Sequence, residues 1–399
     1  MGGPLQGITV VELAGELCAY TGKLLADLGA DVTLVEPVAG SPLRWYEPFA
    51  GDVADPDRSL WWWHYQAGKS AVAADLDNAD GAAKARALLE RADVVVEAAG
   101  PGVLDACGLG SEALRAANPR LIWVSITSHG AADPRSSQPS TDLTLLAEGG
   151  PVWSCGYDDH SLPPVRGGGG QAGHTAGHYA AMSLLAALLH RELSGRGQHI
   201  DVNAYAAANV TTEMASYGWL AAQSTVQRQT GRHAATRPTQ PTQVMCADGR
   251  YVNTGPPRRG ADFGQLADWL DSLGLADEFD EMGVLRLGVE LEHISMAQME
   301  EHDLVGEIFA AGRAAMFFLA ERLGAYELFL GLQQRGMPAG IIYSPEEVAA
   351  DPHFEARHWA RPVHHPELGR TVRYTGLPVT FPATPAGELR PAPKLAERS

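Results

Sequence analysis

The chain predicts an α/β fold, a mostly parallel sheet wound with helices, followed by a second domain and an extended return segment. Three observations carry this reading. Short β-branched runs alternate with helical patterns over the first 127 residues, one long Ala/Leu-rich helix follows, and the tail is dense in Pro. Alternation of strand and helix patterns implies crossover connections, which place consecutive strands parallel.

The first strand is read at Gly7 to Glu12 (GITVVE), its helix from about Cys18 to Leu28, and the second strand at Asp31 to Glu36 (DVTLVE). The rhythm continues through strand Ser70 to Leu76, helix Asp80 to Arg91, strand Asp93 to Ala98, short helices to Ala117 and strand Leu121 to Thr127. A Gly/Ser/Pro-rich passage from His129 to Gly170 interrupts it. The clearest helix then runs from about Gly173 to Leu193 and stops at Ser194-Gly195. Strand His199 to Asn203 and an Ala-rich helix come next, and the polar stretch Gln227 to Gln243 reads as a linker. Gly249 to Gly255 and Ala261 to Leu273 open a second domain whose helices extend to about Arg335. From Gly336 onward ten Pro residues make an extended segment that packs back on the first domain. The expected boundaries are 1–225, 226–335 and 336–399. Trp61, Trp62 and Trp63 cannot all face one way on a regular element, so at least one is expected in the packing.

Composition narrows the function. The chain has 399 residues with 48 acidic against 30 basic side chains, a formal charge of -18, and that disfavours a nucleic-acid partner, which would need a concentrated basic surface. Cys18, Cys107, Cys155 and Cys246 lie far apart with no CxxC, so neither a metal site nor a disulfide framework is expected, and a reducing cytoplasm fits best. No membrane segment or export signal is read.

Several segments together resemble the family III CoA-transferases, the group that includes formyl-CoA transferase, carnitine CoA-transferase and 2-methylacyl-CoA racemase. They are VVELAGELCAYTGKLLADLGADVTLVEP (Val10 to Pro37), GKSAVAADL (Gly68 to Leu76), ADVVVEAAGPGVLDACGLGSEAL (Ala92 to Leu114), NPRLIWVSIT (Asn118 to Thr127), ALLHRELSGRGQHIDV (Ala187 to Val202) and GMPAGIIYSPEEVAADPHF (Gly336 to Phe354). The resemblance implies a Rossmann-like large domain built from both chain ends, a small inserted α+β domain, and an interlocked dimer. It also implies coenzyme A, bound as an acyl-CoA substrate, and a carboxylic acid acceptor. Arg44 and Lys69 match by position the family's basic residues near CoA, and Gly170 and Gly173 lie in the Gly-rich turn at its acyl end.

The family's transferases use an Asp at the opening of the long helix as nucleophile, because a carboxylate both attacks the thioester and carries CoA. That position is Gly173 here, and no Asp or Glu occurs between Asp159 and Glu192. The His-Asp pair of the racemases reads Thr141-Asp142. Glu16 stands where formyl-CoA transferase has an active-site Gln, and His174 stands beside the vacant position with His178 one turn further on. His174, Glu16 and Asp142 are therefore the candidate catalytic residues, His174 as an imidazole acid or base near neutral pH. No metal is expected.

Three readings stand. The chain is a transferase subunit whose Asp-bearing relative supplies the nucleophile in a heterodimer; or a self-sufficient homodimer with racemase, isomerase or lyase chemistry at His174, Glu16 or Asp142; or a non-catalytic CoA-ester binder.

Overall fold

The computed structural model describes residues 2–395. It contains two compact units, one made of residues up to 156, 163–226 and from 352 onward, the other of 157–162 and 227–351.

In the first unit six parallel strands, β1 (Thr9–Leu13), β2 (Asp31–Glu36), β3 (Ser70–Ala73), β4 (Val94–Glu97), β5 (Ile122–Thr127) and β6 (His199–Asn203), lie in the order β3-β2-β1-β4-β5-β6. This is a doubly wound order. Connections after β1 and β4 diverge to opposite sides, and a crevice opens between their carboxyl ends. Both faces of the inner strands are covered, so β4 and β5 read as apolar runs, whereas the edge strand β6 is largely exposed. Val94 and Val96 of β4 join one core, while Val95 between them joins the opposite core with Ala85, Leu89 and Leu114.

The helices of this unit are α1 (Glu16–Asp27), α2 (Leu60–Gln66), α3 (Ala79–Leu89), α4 (Val103–Ala106), α5 (Ser111–Ala117), α6 (Asp142–Gly149), α7 (Gln171–Ser194), α8 (Ala204–Val210) and α9 (Glu213–Ala222). The long helix expected from about Gly173 is α7, which begins two residues earlier and ends at Gly195 in the left-handed conformation, φ 74°. Small residues let it approach α1 closely. A Cβ at Gly177 would lie 2.9 Å from the Tyr20 ring.

Within the second unit, β7 (Gln227–Gln229) and β8 (Arg232–Ala235) form a hairpin where a linker was expected. Its polar side chains are satisfied locally, Arg232 pairing with Asp158 at 2.8 Å, and hydrophobic pattern alone does not reveal such a strand. β9 (Gln243–Met245), β10 (Tyr251–Thr254) and β11 (Ala339–Ile341) make an antiparallel sheet against α10 (Gly260–Ser272), α11 (Met282–Leu287), α13 (Asp303–Ala320) and α14 (Ala325–Gln334), with α12 (Met296–Glu301) before α13. The segment from Gly336 thus begins in this unit, because β11 pairs with β10, and the chain rejoins the first unit at Pro352.

The returning hairpin of β12 (Ala360–His365) and β13 (Arg370–Thr375) packs Val363 and Tyr374 on Trp62 and Trp63 of α2. Trp62 Nε1 donates to the Pro393 carbonyl at 3.1 Å. Two of the three tryptophans are therefore packing residues. Among the described residues no helix is long and apolar enough to cross a membrane.

Candidate active site

The diverging connections after β1 and β4 frame the site. A groove of about 390 Å³ runs along the carboxyl edge, walled by Glu16 and Leu17 after β1, by Ala98 to Pro101 after β4, and by Thr127, Ser128 and Ser136 to Asp142 after β5. Thr127 Oγ1 is buried without a hydrogen-bond partner. The groove meets a smaller pocket of about 40 Å³ at Glu16, Leu17 and Asp142.

Four helix starts build the small pocket. Gly170, Gly173 and His174 come from the opening of α7, Glu16 and Tyr20 from one turn of α1, Trp61 and Tyr65 from one turn of α2, and Asp142 from the first residue of α6. Five of the seven residues expected from the sequence, Glu16, Asp142, Gly170, Gly173 and His174, thus converge here. Tyr20, Tyr46, Tyr65 and Arg166 are not among the residues expected from the sequence, and Trp61, from the tryptophan run for which packing is the favoured reading, lines the pocket. The i, i+4 spacings of Glu16 with Tyr20 and of Trp61 with Tyr65 place each pair on one helix face, and that was the available signal.

Arg44 and Lys69 correct the expectation of phosphate-binding cations. Both side chains are fully buried. Arg44 makes a two-point pair with Glu36 (2.9 and 2.7 Å), bonds Asp57 at 2.8 Å and lies 3.9 Å over the Trp62 ring. Lys69 donates to Glu12 at 2.6 Å and to the Ala19 carbonyl at 3.1 Å. Burial pushes Glu12 up and Lys69 down, each opposed by the other's charge. Arg44 has every guanidinium nitrogen engaged and Lys69 is sealed from solvent, so neither reaches a ligand there, and among the described residues no Lys or Arg side chain lines the groove.

Asp142 is a clamp. Its Oδ1 accepts the Ala172 N–H at 2.7 Å and its Oδ2 accepts from Arg166 Nη1 at 2.8 Å, which also donates to the Gly169 carbonyl at 3.0 Å. Gly170, the residue preceding α7, has no side chain to cap the helix, so a carboxylate from α6 does so.

His174 Nε2 shares a 2.7 Å hydrogen bond with Tyr65 Oη, and its ring lies 4.2 Å from that of Tyr20. Burial, reinforced by His178, lowers the His174 pKa and favours the neutral imidazole. Burial also raises Tyr65 to about 12, with Tyr20, Glu16 and Asp142 adding to it. Glu16 Oε2 accepts from Tyr46 Oη at 2.8 Å, and Tyr46 rises to about 12, first through burial and then through this bond. Trp61 bridges the two tyrosines, with ring centroids 5.3 Å from Tyr46 and 4.4 Å from Tyr65.

At Gly173 a Cβ would meet no atom within 4 Å, so the helix opening holds room for a side chain that this residue lacks.

A profile of the family described as CoA-transferase family III matches residues 5–399. The chain belongs to CoA-transferase family III. As a family III CoA-transferase it is an enzyme acting on acyl-CoA thioesters. It is 30% identical over 405 residues to succinyl-CoA:(R)-benzylsuccinate CoA-transferase subunit BbsE of Thauera aromatica, covering 100% of this chain and 93% of that one. Succinyl-CoA–D-citramalate CoA-transferase of Chloroflexus aurantiacus is 30% identical over 404 residues, covering 99% and 92%. The crystal structure of a CaiB/BaiF family protein from Brucella suis superposes with a TM-score of 0.79 at 26% identity, over 100% of this chain and 97% of that one.

Proposed function

We propose that this CoA-transferase exchanges CoA between succinyl-CoA and a dicarboxylic acid, as one subunit of an interlocked assembly in which a relative bears Asp at the position of Gly173. The observation that carries the reading is the open space at Gly173, on the wall of a pocket whose other sides are built by Glu16, Tyr20, Tyr65, Asp142 and His174. Relatives named for succinyl-CoA with benzylsuccinate or citramalate support the substrates, and one of them is named as a subunit.

The groove takes the pantetheine arm of CoA. Its hydroxyl-rich wall, with Ser137, Ser140 and Thr141, suits an amide chain. The acyl carbonyl then lies at the mouth of the small pocket, where Tyr20, Trp61 and Tyr65 exclude water and neutral His174 stands as a proton carrier. The diphosphate is held by groups other than Arg44 and Lys69.

The test is co-expression of the chain with Asp-bearing relatives from the same genome, followed by assay of CoA exchange between succinyl-CoA and dicarboxylic acids. A co-purifying pair that exchanges CoA and loses at least half of its rate when the partner's Asp is changed to Asn supports the proposal. An unchanged rate overturns the need for that Asp. The pair holds two pockets, one with the partner's Asp and one with Gly173.

A further inference from the structure

We propose that Glu16 is the nucleophile of this chain's own pocket. The inference rests on reading the pocket as a CoA-transfer site, and it does not depend on which residue the partner supplies.

Transfer of CoA between acids needs a carboxylate that first carries the acyl group as an anhydride and then carries CoA as a thioester. Position 173 offers none. Two carboxylates stand on the pocket walls, Glu16 and Asp142. Both Asp142 oxygens are engaged, one by the Ala172 N–H at 2.7 Å and one by Arg166 at 2.8 Å. Attack through either would give up a charge-assisted bond, and attack through Oδ1 would uncap a 24-residue helix. Glu16 is different. Tyr46 bonds its Oε2 at 2.8 Å, and among the described residues no group bonds Oε1. The residue is exposed and lines both the groove and the small pocket, so a thioester extending from one cavity into the other passes its carboxylate.

The steps balance without water, redox partner or net proton. Glu16 Oε1 attacks the thioester carbonyl, the C–O bond forms, the C–S bond breaks, and CoA thiolate departs from a Glu16-acyl anhydride. The thiolate attacks the Glu16 carbonyl carbon, releasing the first acid as its carboxylate and leaving a Glu16–CoA thioester. The acceptor carboxylate attacks that thioester, forming a second anhydride and freeing the thiolate again. The thiolate then attacks the acceptor's carbonyl, the new acyl-CoA leaves, and Glu16 is a carboxylate once more. Tyr46 holds the Glu16 carboxylate in place through Oε2, while the aromatic walls keep water from the anhydride.

The experiment traps the intermediate in the co-purified assembly. The assembly is incubated with succinyl-CoA, quenched with hydroxylamine, digested and read by mass spectrometry. The expected result is a hydroxamate on Glu16, absent without succinyl-CoA and absent in E16Q, with succinyl-CoA binding retained in E16Q by equilibrium dialysis. Should E16Q fail to fold, the labelled peptide of the unaltered chain still decides. A hydroxamate confined to the partner, or to another residue of this chain, overturns the inference and leaves the transferase reading of the assembly standing. Failure of the unaltered assembly to bind succinyl-CoA overturns both.

Discussion

Gly173 is a single missing side chain with a chemical consequence. Its backbone is helical and its Cβ position is open, so Gly173→Asp is sterically free and places a carboxylate at a helix start, where the dipole favours it. Introduced into an assembly whose partner Asp has been changed to Asn, it adds a second carboxylate beside Glu16 in this chain's pocket and is expected to raise CoA exchange above that of the Asn variant alone. The buried pairs act on stability instead. Lys69→Met strands Glu12, which already has one oxygen without a partner, and should cost roughly 3–5 kcal/mol in chemical denaturation. His64 supplies a pH signature. Burial, with Lys23 and His174 nearby, brings it from 6.5 to about 4. The unfolded chain therefore takes up the proton first as pH falls, so the stability His64 contributes is full above about pH 6.5, declines through the window to about pH 4 and is gone below it. In denaturation curves across that window His64→Gln should flatten the decline relative to the unaltered chain.

At the scale of elements, α7 depends on a residue that is not its own. Asp142 reaches from the start of α6 to the Ala172 N–H and clamps the Gly-rich approach through Arg166 and the Gly169 carbonyl. Asp142→Ala should cost about 1–2 kcal/mol, as the loss of a helix cap does. Hydrogen exchange should quicken at 167–173 while the middle of α7 stays protected. Most elements of the large unit were legible in the sequence. Asp31 to Glu36 and His199 to Asn203 are strands with the expected bounds; the first is a β-branched run buried over most of its length, which carries a strong local signal, while the second is a largely exposed edge strand. The β7–β8 hairpin was not legible. Its residues are polar, and partners such as Asp158 lie about seventy positions away.

For the whole molecule, assembly is the next question. Met182, Leu185, Leu189 and Leu193 recur at helical spacing along α7 and are exposed in the single chain, Leu193 at 82%. Tyr217, Trp219 and Leu220 of α9 are exposed too. The interlocked assembly proposed for this chain would cover these faces, since apolar patches of this kind mark association sites. Changing Leu189 and Leu193 together to Glu removes no core contact and should reduce the particle mass measured by light scattering toward that of single chains. A mass unchanged by the double substitution would place the interface elsewhere. The sequence by itself determined the wound sheet, the family, and the absence of a carboxylate at position 173, since each is written in local pattern and residue identity. It brought Arg44 and Lys69 forward as ligands because an unpaired cation and a buried one look alike in a string of letters. Only the tertiary structure decided that Glu36 and Glu12 neutralise them, that Asp142 is spent as a cap, and that Glu16 stands between groove and pocket with an oxygen to spare. Those facts depend on which distant groups fold into hydrogen-bonding reach, and chain spacing does not encode it.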